Sequence, residues 1–463
     1  MDTLPLSKIA EFAKGVLTAG DPNAQITRLS TDSRTIQAGD LFVPIRGENF
    51  DGHRFIAQTW ERGAAGALVE HGWSGTAPAQ FALIRVTDTL AAYQQIAAGY
   101  RRSLGLKVIA ITGSNGKTST KDFVAAALGH RFHVTKTEGN FNNHVGLPQT
   151  ILEASSEDEI GVWELGMNHP GEIASLAQIA APDAAVITNI GIAHIEFMGS
   201  REAIALEKGA LAECVGNAGT VILNADDPFS AAIARRTRAK TIFAGIHAGS
   251  LRAEEIRQSA GGSEFTVLEG AHRCRAQLPV PGLHMVQNAI LAIAAGRAFG
   301  LSLEDCAAGL ASTPLTKARL QLREIRGVRF LDDSYNANPE SMKAALRTLV
   351  ELDAEGQRIA VLGHMRELGV ESSRGHAEVG HAAAALRIDR LITIGELSAE
   401  IAQAAQGAGL EEATNVASPA AAAELLTEIT SPGDLVLVKG SRAARTERVL
   451  EEFASRASAG TTS

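Results

Sequence analysis

The amino-acid sequence predicts an α/β protein made of three units, and three observations carry that expectation. The chain has 463 residues, which at ordinary domain size corresponds to about three domains. Short, continuously apolar segments alternate with helical stretches, the pattern of strands buried on both faces of a parallel sheet. The segment Gly113-Ser114-Asn115-Gly116-Lys117-Thr118 stands between one such strand and one such helix, where a phosphate-binding loop belongs. The expected architecture is a small N-terminal α/β module over 1–103, a central, mostly parallel sheet with helices on both faces over 104–314, and a doubly wound domain over 315–463.

In the first unit, Leu4 to Leu17 reads as a helix. Gly39-Asp40-Leu41-Phe42-Val43-Pro44 reads as a turn entering a strand, Ala64 to Glu70 and Phe81 to Val86 as further strands, and Gln94 to Ser103 as a linking helix. In the second, Val108 to Ile111 is a buried strand, Ser119 to Leu128 its helix, and Gly161 to Leu165 and Ala184 to Thr188 are further buried strands. Glu264 to Leu268 and Cys274 to Leu278 alternate as half-exposed antiparallel strands do, Pro281-Gly282 ends them, and a helix spans Met285 to Phe299. In the third, Arg329 to Leu331, Ile359 to Leu362, Arg390 to Ile394 and Leu435 to Val438 are strands among Ala-rich helices such as Pro419 to Ile429. That alternation reads as a Rossmann-like doubly wound domain, with a polar tail at Ala457 to Ser463.

Composition narrows the function classes. A net charge of −9, from 43 basic and 52 acidic residues with no basic run, argues against binding long nucleic acid. Cys214, Cys274 and Cys306 are scattered, without metal spacing or a disulfide framework, as in a reducing compartment. No run approaches the roughly 18 apolar residues of a membrane span. The start, with Asp2 and Glu11, lacks a signal-peptide core. A cytoplasmic protein without membrane insertion, and a monomer, is the expectation.

The chemistry concentrates at strand ends, where open α/β sheets bind ligands. In the glycine loop, Gly113, Ser114, Asn115, Gly116 and Ser119 would turn backbone N–H groups toward phosphate at a helix N-terminus. Lys117 would place a point charge on the terminal phosphates, and the Thr118 hydroxyl would reach magnesium. The strict loop pattern asks for glycine where Ile111 stands, but Gly-Lys-Thr has the correct flanks. Glu164 and His194 follow neighbouring strands and could help hold magnesium, although that ion prefers oxygen and His194 could equally be structural. Lys208 lies on the apolar stripe Ile204, Lys208, Leu211, Val215. It is either a snorkelling stem or a desolvated amine of lowered pKa, open to carbamate formation with carbon dioxide. The loop Thr137 to Pro148 is dense in amides, including Asn140 and Asn143, which suit sugar, peptide or phosphate contacts as well as turns. In the third unit Asp333 could accept ribose hydroxyls and Arg319 could neutralise a transferring phosphoryl group, while Lys439-Gly440-Ser441-Arg442 opens an anion-friendly turn. For each of these, solvated surface charge is the alternative.

Taken together, Thr31-Asp32-Ser33-Arg34, Thr112 to Thr118, Gly139 to Asn143, Glu164 to Asn168, Asn189 to His194, Lys208, Gly282 to Asn288, Asp332 to Pro339 and Val438 to Arg442 resemble the signatures of the Mur ligase family, in order and over nearly the whole chain. The last two segments resemble its dipeptide-adding branch. The resemblance implies a uridine nucleotide held near Ser33 and Arg34, ATP and magnesium in the centre, a carbamylated Lys208, and Asn288 near the base. It implies substrate contacts from Asn140, Asn143, Tyr335, Asn336 and Asn338, with UDP-N-acetylmuramoyl-tripeptide and D-alanyl-D-alanine as the molecules joined. Lys117, Lys208, His194 and Arg319 would then be catalytic, and Thr118, Glu164, His194 and Lys208 would surround the metal. His364 stands where the branch usually has Asp, and Met285 where siblings often have Asn. A sibling ligase adding one amino acid, a folylpolyglutamate-type ligase, or a nucleotide-switched binding protein would share parts of this pattern. A closing motion of the third unit is expected about a hinge near Ser312 to Ala318.

Overall fold

The computed structural model describes residues 1–47, 49–314 and 316–459, with side chains to 456. Leu315 of the expected hinge and residues 460–463 of the expected tail lie outside the described residues.

A nine-stranded sheet dominates the centre. Its order runs Val134–Lys136, Ile160–Glu164, Lys107–Thr112, Ala184–Ile187, Thr220–Asn224, Lys240–Gly245, Leu251–Ser259, Gly262–Glu269, His272–Leu278. The first seven are parallel and the last pairings antiparallel. Apolar residues occur at successive positions because both faces are covered. Ile109 and Ile111 enter one core with the helices Lys117–Gly129 and Leu283–Ala298 and with part of the third unit. Val108 and Ala110 enter the other, with the helices Thr89–Ser103 and Arg201–Glu213 and with the first unit. Full burial of such a side chain contributes about 1.5–3 kcal/mol.

The first unit holds a five-stranded sheet, ordered Val16–Ala19, Ala82–Val86, Gly66–Glu70, Leu41–Phe42, Leu29–Ser30. Here the expected helix over 4–17 is corrected. The helix spans only Leu6–Phe12, and Val16–Ala19 is an edge strand antiparallel to Ala82–Val86. Gly15 breaks the two apart: a Cβ there would press on Ile84 and Val86 at 2.7 and 2.8 Å. The linking helix is longer than expected, Thr89–Ser103, capped by the Asp88 carboxylate accepting from Ala91 N–H. Its buried Arg101 donates to the carbonyls of Ala180 and Ala181, tying this helix to the central sheet.

The third unit is a six-stranded sheet ordered Gln321–Ile325, Val328–Asp333, Leu435–Lys439, Arg358–Gly363, Arg390–Ile394, Ala413–Val416, parallel except for its first pair. The order steps from Val328–Asp333 through Leu435–Lys439 to Arg358–Gly363, a break in strand order of the kind at which open α/β sheets bind ligands. The closing helix runs Glu447–Ala459, so what reads as a polar tail is helical to Ala459.

Candidate active site

The strand Lys107–Thr112 delivers the glycine loop to the helix Lys117–Gly129 at the carboxyl edge of the central sheet. Only glycine fits its two key positions. Gly113 has φ 151° and a Cβ there would collide with Thr188 Oγ1; Gly116 has φ 77° and a Cβ would collide with the Asn288 amide. Asn288 is buried under the loop, close to its backbone. The loop is braced from the next strand end: Asn115 N–H donates to Asn189 Oδ1 at 2.9 Å, and Gly191 N–H donates to Ser114 Oγ at 2.8 Å. Lys117 Nζ donates back to the Gly113 carbonyl at 2.8 Å. Burial holds its pKa below the ordinary lysine value; Glu164 opposes this and Arg319 adds to it.

Thr118 is the meeting point. Its hydroxyl donates to Glu164 Oε2 at 2.9 Å and accepts from Arg319 Nη2, which arrives from the third unit, at 3.1 Å. Glu164 is buried, its other oxygen accepts from Asn142 Nδ2 at 2.8 Å, and its N–H donates to Thr137 Oγ1. Asn142 was not among the asparagines singled out from sequence. The two that were behave differently: Asn143 Oδ1 accepts from Val145 and Gly146 N–H at the start of the helix Gly146–Glu153, and Asn140 is exposed.

Lys208 is fully buried, and its Nζ has no hydrogen-bond partner among the described residues. The snorkelling alternative is therefore corrected, because the amine never reaches solvent. Burial first, and Lys117 second, push its pKa well below the ordinary value against the pull of Glu207 and Glu164. Glu207 is otherwise engaged, accepting from Gly171 and Ile173 N–H at the head of the helix Glu172–Ala180.

The third unit closes over this edge. His194, in the left-handed region at φ 64°, sets Nδ1 2.6 Å from Glu367 Oε2, and the imidazole holds the Glu367 carboxyl below its usual range. That leaves Nε2 as the ring atom for a ligand. Asn338 caps the helix Pro339–Glu351 and donates from Nδ2 to Asn115 Oδ1 at 2.6 Å. Glu340 Oε1 accepts from Ile192 N–H at 3.0 Å. The Arg319 guanidinium lies 4.2 Å from the Tyr335 ring centroid. Asp333 is buried and paired with Lys439 Nζ at 2.5 Å; that lysine also takes the Asn336 carbonyl. His284 faces this pair, its pKa pushed down to about 4 by burial and by Lys439, with Asp333 opposing. Neither His284 nor Lys439 carries a sequence signal for this meeting, which joins the first turn of the helix Leu283–Ala298 to two strand ends of the third unit. Ser33 and Arg34 lie apart, on the first unit: Arg62 donates to both carbonyls, and the Arg34 guanidinium pairs with Asp32, whose pKa falls to about 2. Among the described residues no helix is long and apolar enough to cross a membrane.

A phosphate loop whose Thr118 touches both a buried carboxylate and an arginine from a separate doubly wound domain defines a class of nucleotide-using ligase. The chain belongs to the Mur ligase family: the Mur ligase family catalytic domain matches residues 25–101, the Mur ligase middle domain 111–296, and the Mur ligase glutamate ligase domain 318–442. It is an enzyme of the ligase class. It is 39% identical to the UDP-N-acetylmuramoyl-tripeptide–D-alanyl-D-alanine ligase of Bacillus subtilis, covering 97% of this chain and 98% of that protein. It is 36% identical to the enzyme of the same name from Escherichia coli, with the same coverage. The solved structure of MurF from Acinetobacter baumannii superposes with a TM-score of 0.91 at 31% identity, over 98% of this chain and 99% of that one. MurF ligase from Thermotoga maritima, solved in complex with ADP, gives 0.85 at 29% identity, over 94% and 98%.

Proposed function

We propose that the chain joins D-alanyl-D-alanine to the terminal carboxylate of UDP-N-acetylmuramoyl-tripeptide, using ATP and releasing ADP and phosphate, in the cytoplasmic synthesis of peptidoglycan precursors. The observation that carries the reading is the convergence of Lys117, Arg319 and Glu164 around Thr118. Relatives of that name at 36–39% identity over 97% of the chain support the substrate pair. In this reading residues 1–103 hold the nucleotide sugar near Ser33 and Arg34, 104–314 hold the triphosphate, and 315–463 hold ribose and dipeptide.

A carboxylate is a poor electrophile at neutral pH. One carboxylate oxygen attacks the γ-phosphorus, the bond to the β-phosphate oxygen breaks, and ADP leaves. The resulting acyl phosphate accepts the dipeptide's neutral amine at its carbonyl carbon. Phosphate then departs, and the amine's proton passes to solvent. The chain's task is positioning and charge neutralisation. Lys117 releases the Gly113 carbonyl to meet the phosphates, and Arg319 swings its free N–H groups from Thr118 onto the phosphoryl oxygens. Asp333 keeps an oxygen for the ribose while Lys439 fixes the other. Tyr335, Asn336 and Asn338, on the loop between Asp333 and the helix Pro339–Glu351, are the third-unit residues that would meet the dipeptide in this reading.

Magnesium fits the donors present: the paired Thr118 and Glu164 offer the oxygen atoms it prefers, and His194 would add its Nε2. When bound, it would supply charge neutralisation between the phosphates and the acceptor carboxylate. Lys208 is suited to complete this set. Its buried, unpartnered amine is neutral enough to add carbon dioxide, giving an N-carboxylate and a released proton, and the new anion would face Lys117. Tripeptide carrying heavy oxygen in its terminal carboxylate tests the reaction: label is expected in the released phosphate. A panel of single amino acids and dipeptides, read by phosphate release, tests the acceptor. Unlabelled phosphate, or preference for a single amino acid, would sink the proposal.

A further inference from the structure

A buried polar chain runs from the linker between the second and third units to the site, and no step above uses it. Asp122, on the helix Lys117–Gly129, is 1% exposed. Its Oδ2 accepts from Thr316 N–H at 3.1 Å and from Thr316 Oγ1 at 2.7 Å. Its Oδ1 pairs with Lys136 at 2.9 Å and with the equally buried Lys121 at 3.2 Å. Lys121 Nζ donates to the Thr137 carbonyl at 2.7 Å, and Thr137 Oγ1 accepts from Glu164 N–H at 3.0 Å. Burial works to raise the Asp122 pKa, but Lys121, Lys136 and Thr316 outweigh it, so the carboxylate stays charged.

The geometry gives this chain a purpose. Thr118 and Asp122 are four apart on one helix and so share a face, one turn from each other. Thr316, in the linker, and Arg319, three residues on at the start of the third unit, each bind one of those two helix positions. The linker is thus laid along the phosphate-loop helix with Thr316 as its anchor and Arg319 as its working end. Arg319 is flanked by Ala318 at φ 59° and Leu320 at φ 53°, left-handed conformations that a non-glycine residue holds only when its surroundings enforce them. Its Nε is buried and has no partner among the described residues, so local hydrogen bonds alone do not fix the guanidinium.

We propose that Asp122 and Thr316 are positioning residues: they clamp the linker to the phosphate-loop helix and thereby set where Arg319 meets the transferring phosphoryl group. The inference rests on the role given to Arg319 under the proposed function. A merely structural tether would change stability and leave the partition of kinetic constants alone. A positioning clamp acts where Arg319 acts, on the phosphoryl in flight, so it lowers kcat with little change in the KM for ATP.

The test is a double-mutant cycle on the full chain with ATP, tripeptide substrate and dipeptide, read by phosphate release. Thr316→Val keeps the shape and the N–H bond but removes the hydroxyl; we expect kcat to fall about tenfold with KM for ATP within about twofold. Thr316→Ser, which restores the hydroxyl, is expected to recover most of the loss. In an Arg319→Ala background, already slowed, Thr316→Val is expected to add nothing. Asp122→Asn, folded by circular dichroism, is expected to follow Thr316→Val. Unchanged kcat in Thr316→Val, or losses that multiply with those of Arg319→Ala, would overturn the clamp while leaving the ligase reading intact. Full activity of Arg319→Ala would overturn the role of Arg319 and the clamp with it.

Discussion

Replacing Lys208 by methionine should make the enzyme more stable and nearly inactive at once. The side chain is fully buried, its Nζ has no partner among the described residues, and it sits on the stripe with Ile204 and Leu211. A buried polar group without a hydrogen bond costs about 1–3 kcal/mol, and methionine fills a similar length with no polar atom. Taking the lower part of that range, about 1–2 kcal/mol should be recovered, which for a unit of this size raises the unfolding midpoint by roughly 2–8 °C. Burial first, and Lys117 second, depress the wild-type pKa, and the methionine variant is free of that penalty on a buried charge. The assay is calorimetry of both proteins in carbon-dioxide-free buffer, with and without added bicarbonate, beside phosphate release. Bicarbonate should alter the wild-type midpoint and leave the variant's alone, and turnover of the variant should fall by more than about a hundredfold. A variant less stable than wild type in carbon-dioxide-free buffer would refute the reasoning, because the amine would then have a stabilising partner.

Three further outcomes follow from the same geometry. His284 titrates near 4 when folded against 6.5 when free, so below 6.5 the unfolded chain binds a proton that the folded one refuses. Stability should therefore fall as pH drops through that window, by up to about 3 kcal/mol, and His284→Asn should flatten acid unfolding curves there. Asn142→Ala removes a charge-assisted bond to Glu164 and should cut turnover roughly tenfold or more while raising the magnesium concentration for half-activity; Asn143→Ala should instead cost about 1 kcal/mol of thermal stability. Solution scattering should show a smaller radius with an ATP analogue and muramoyl-tripeptide than without them, since Asn338, Glu340 and Glu367 hold the third unit to Asn115, Ile192 and His194 of the central unit through a few bonds of about 0.5–1.5 kcal/mol each. An unchanged radius would count against hinge closure.

What could be read from sequence follows physical range. The strand Lys107–Thr112 and its loop were legible because an apolar run, two glycines and Gly-Lys-Thr all act locally. Lys208 stood out as a charge on an apolar stripe, but the helical period left a snorkelling stem open, and only the packing around it shows the amine fully buried. The strand Val16–Ala19 was not, since its own residues suit a helix and only pairing with Ala82–Val86, far along the chain, decides otherwise. Nor was the choice among Asn140, Asn142 and Asn143, because the bond to Glu164 depends on which amide the turn presents. Lys121 and Asp122 give no signal of their own in the sequence; Asp122 finds Thr316 194 positions later, and the two charges form a buried pair. Meetings between separate units, such as His284 with Asp333 and Lys439, leave no pattern in either stretch.

Arg101 carries one last consequence. The helix Thr89–Ser103 leads out of the first sheet, yet its guanidinium is spent on the carbonyls that finish Glu172–Ala180. Anyone swapping the front module between homologous enzymes should cut ahead of Thr89 and let that helix travel with the middle of the molecule. A graft joined after Ser103 would import a foreign helix onto a surface shaped for this one, and would strand two peptide oxygens without donors.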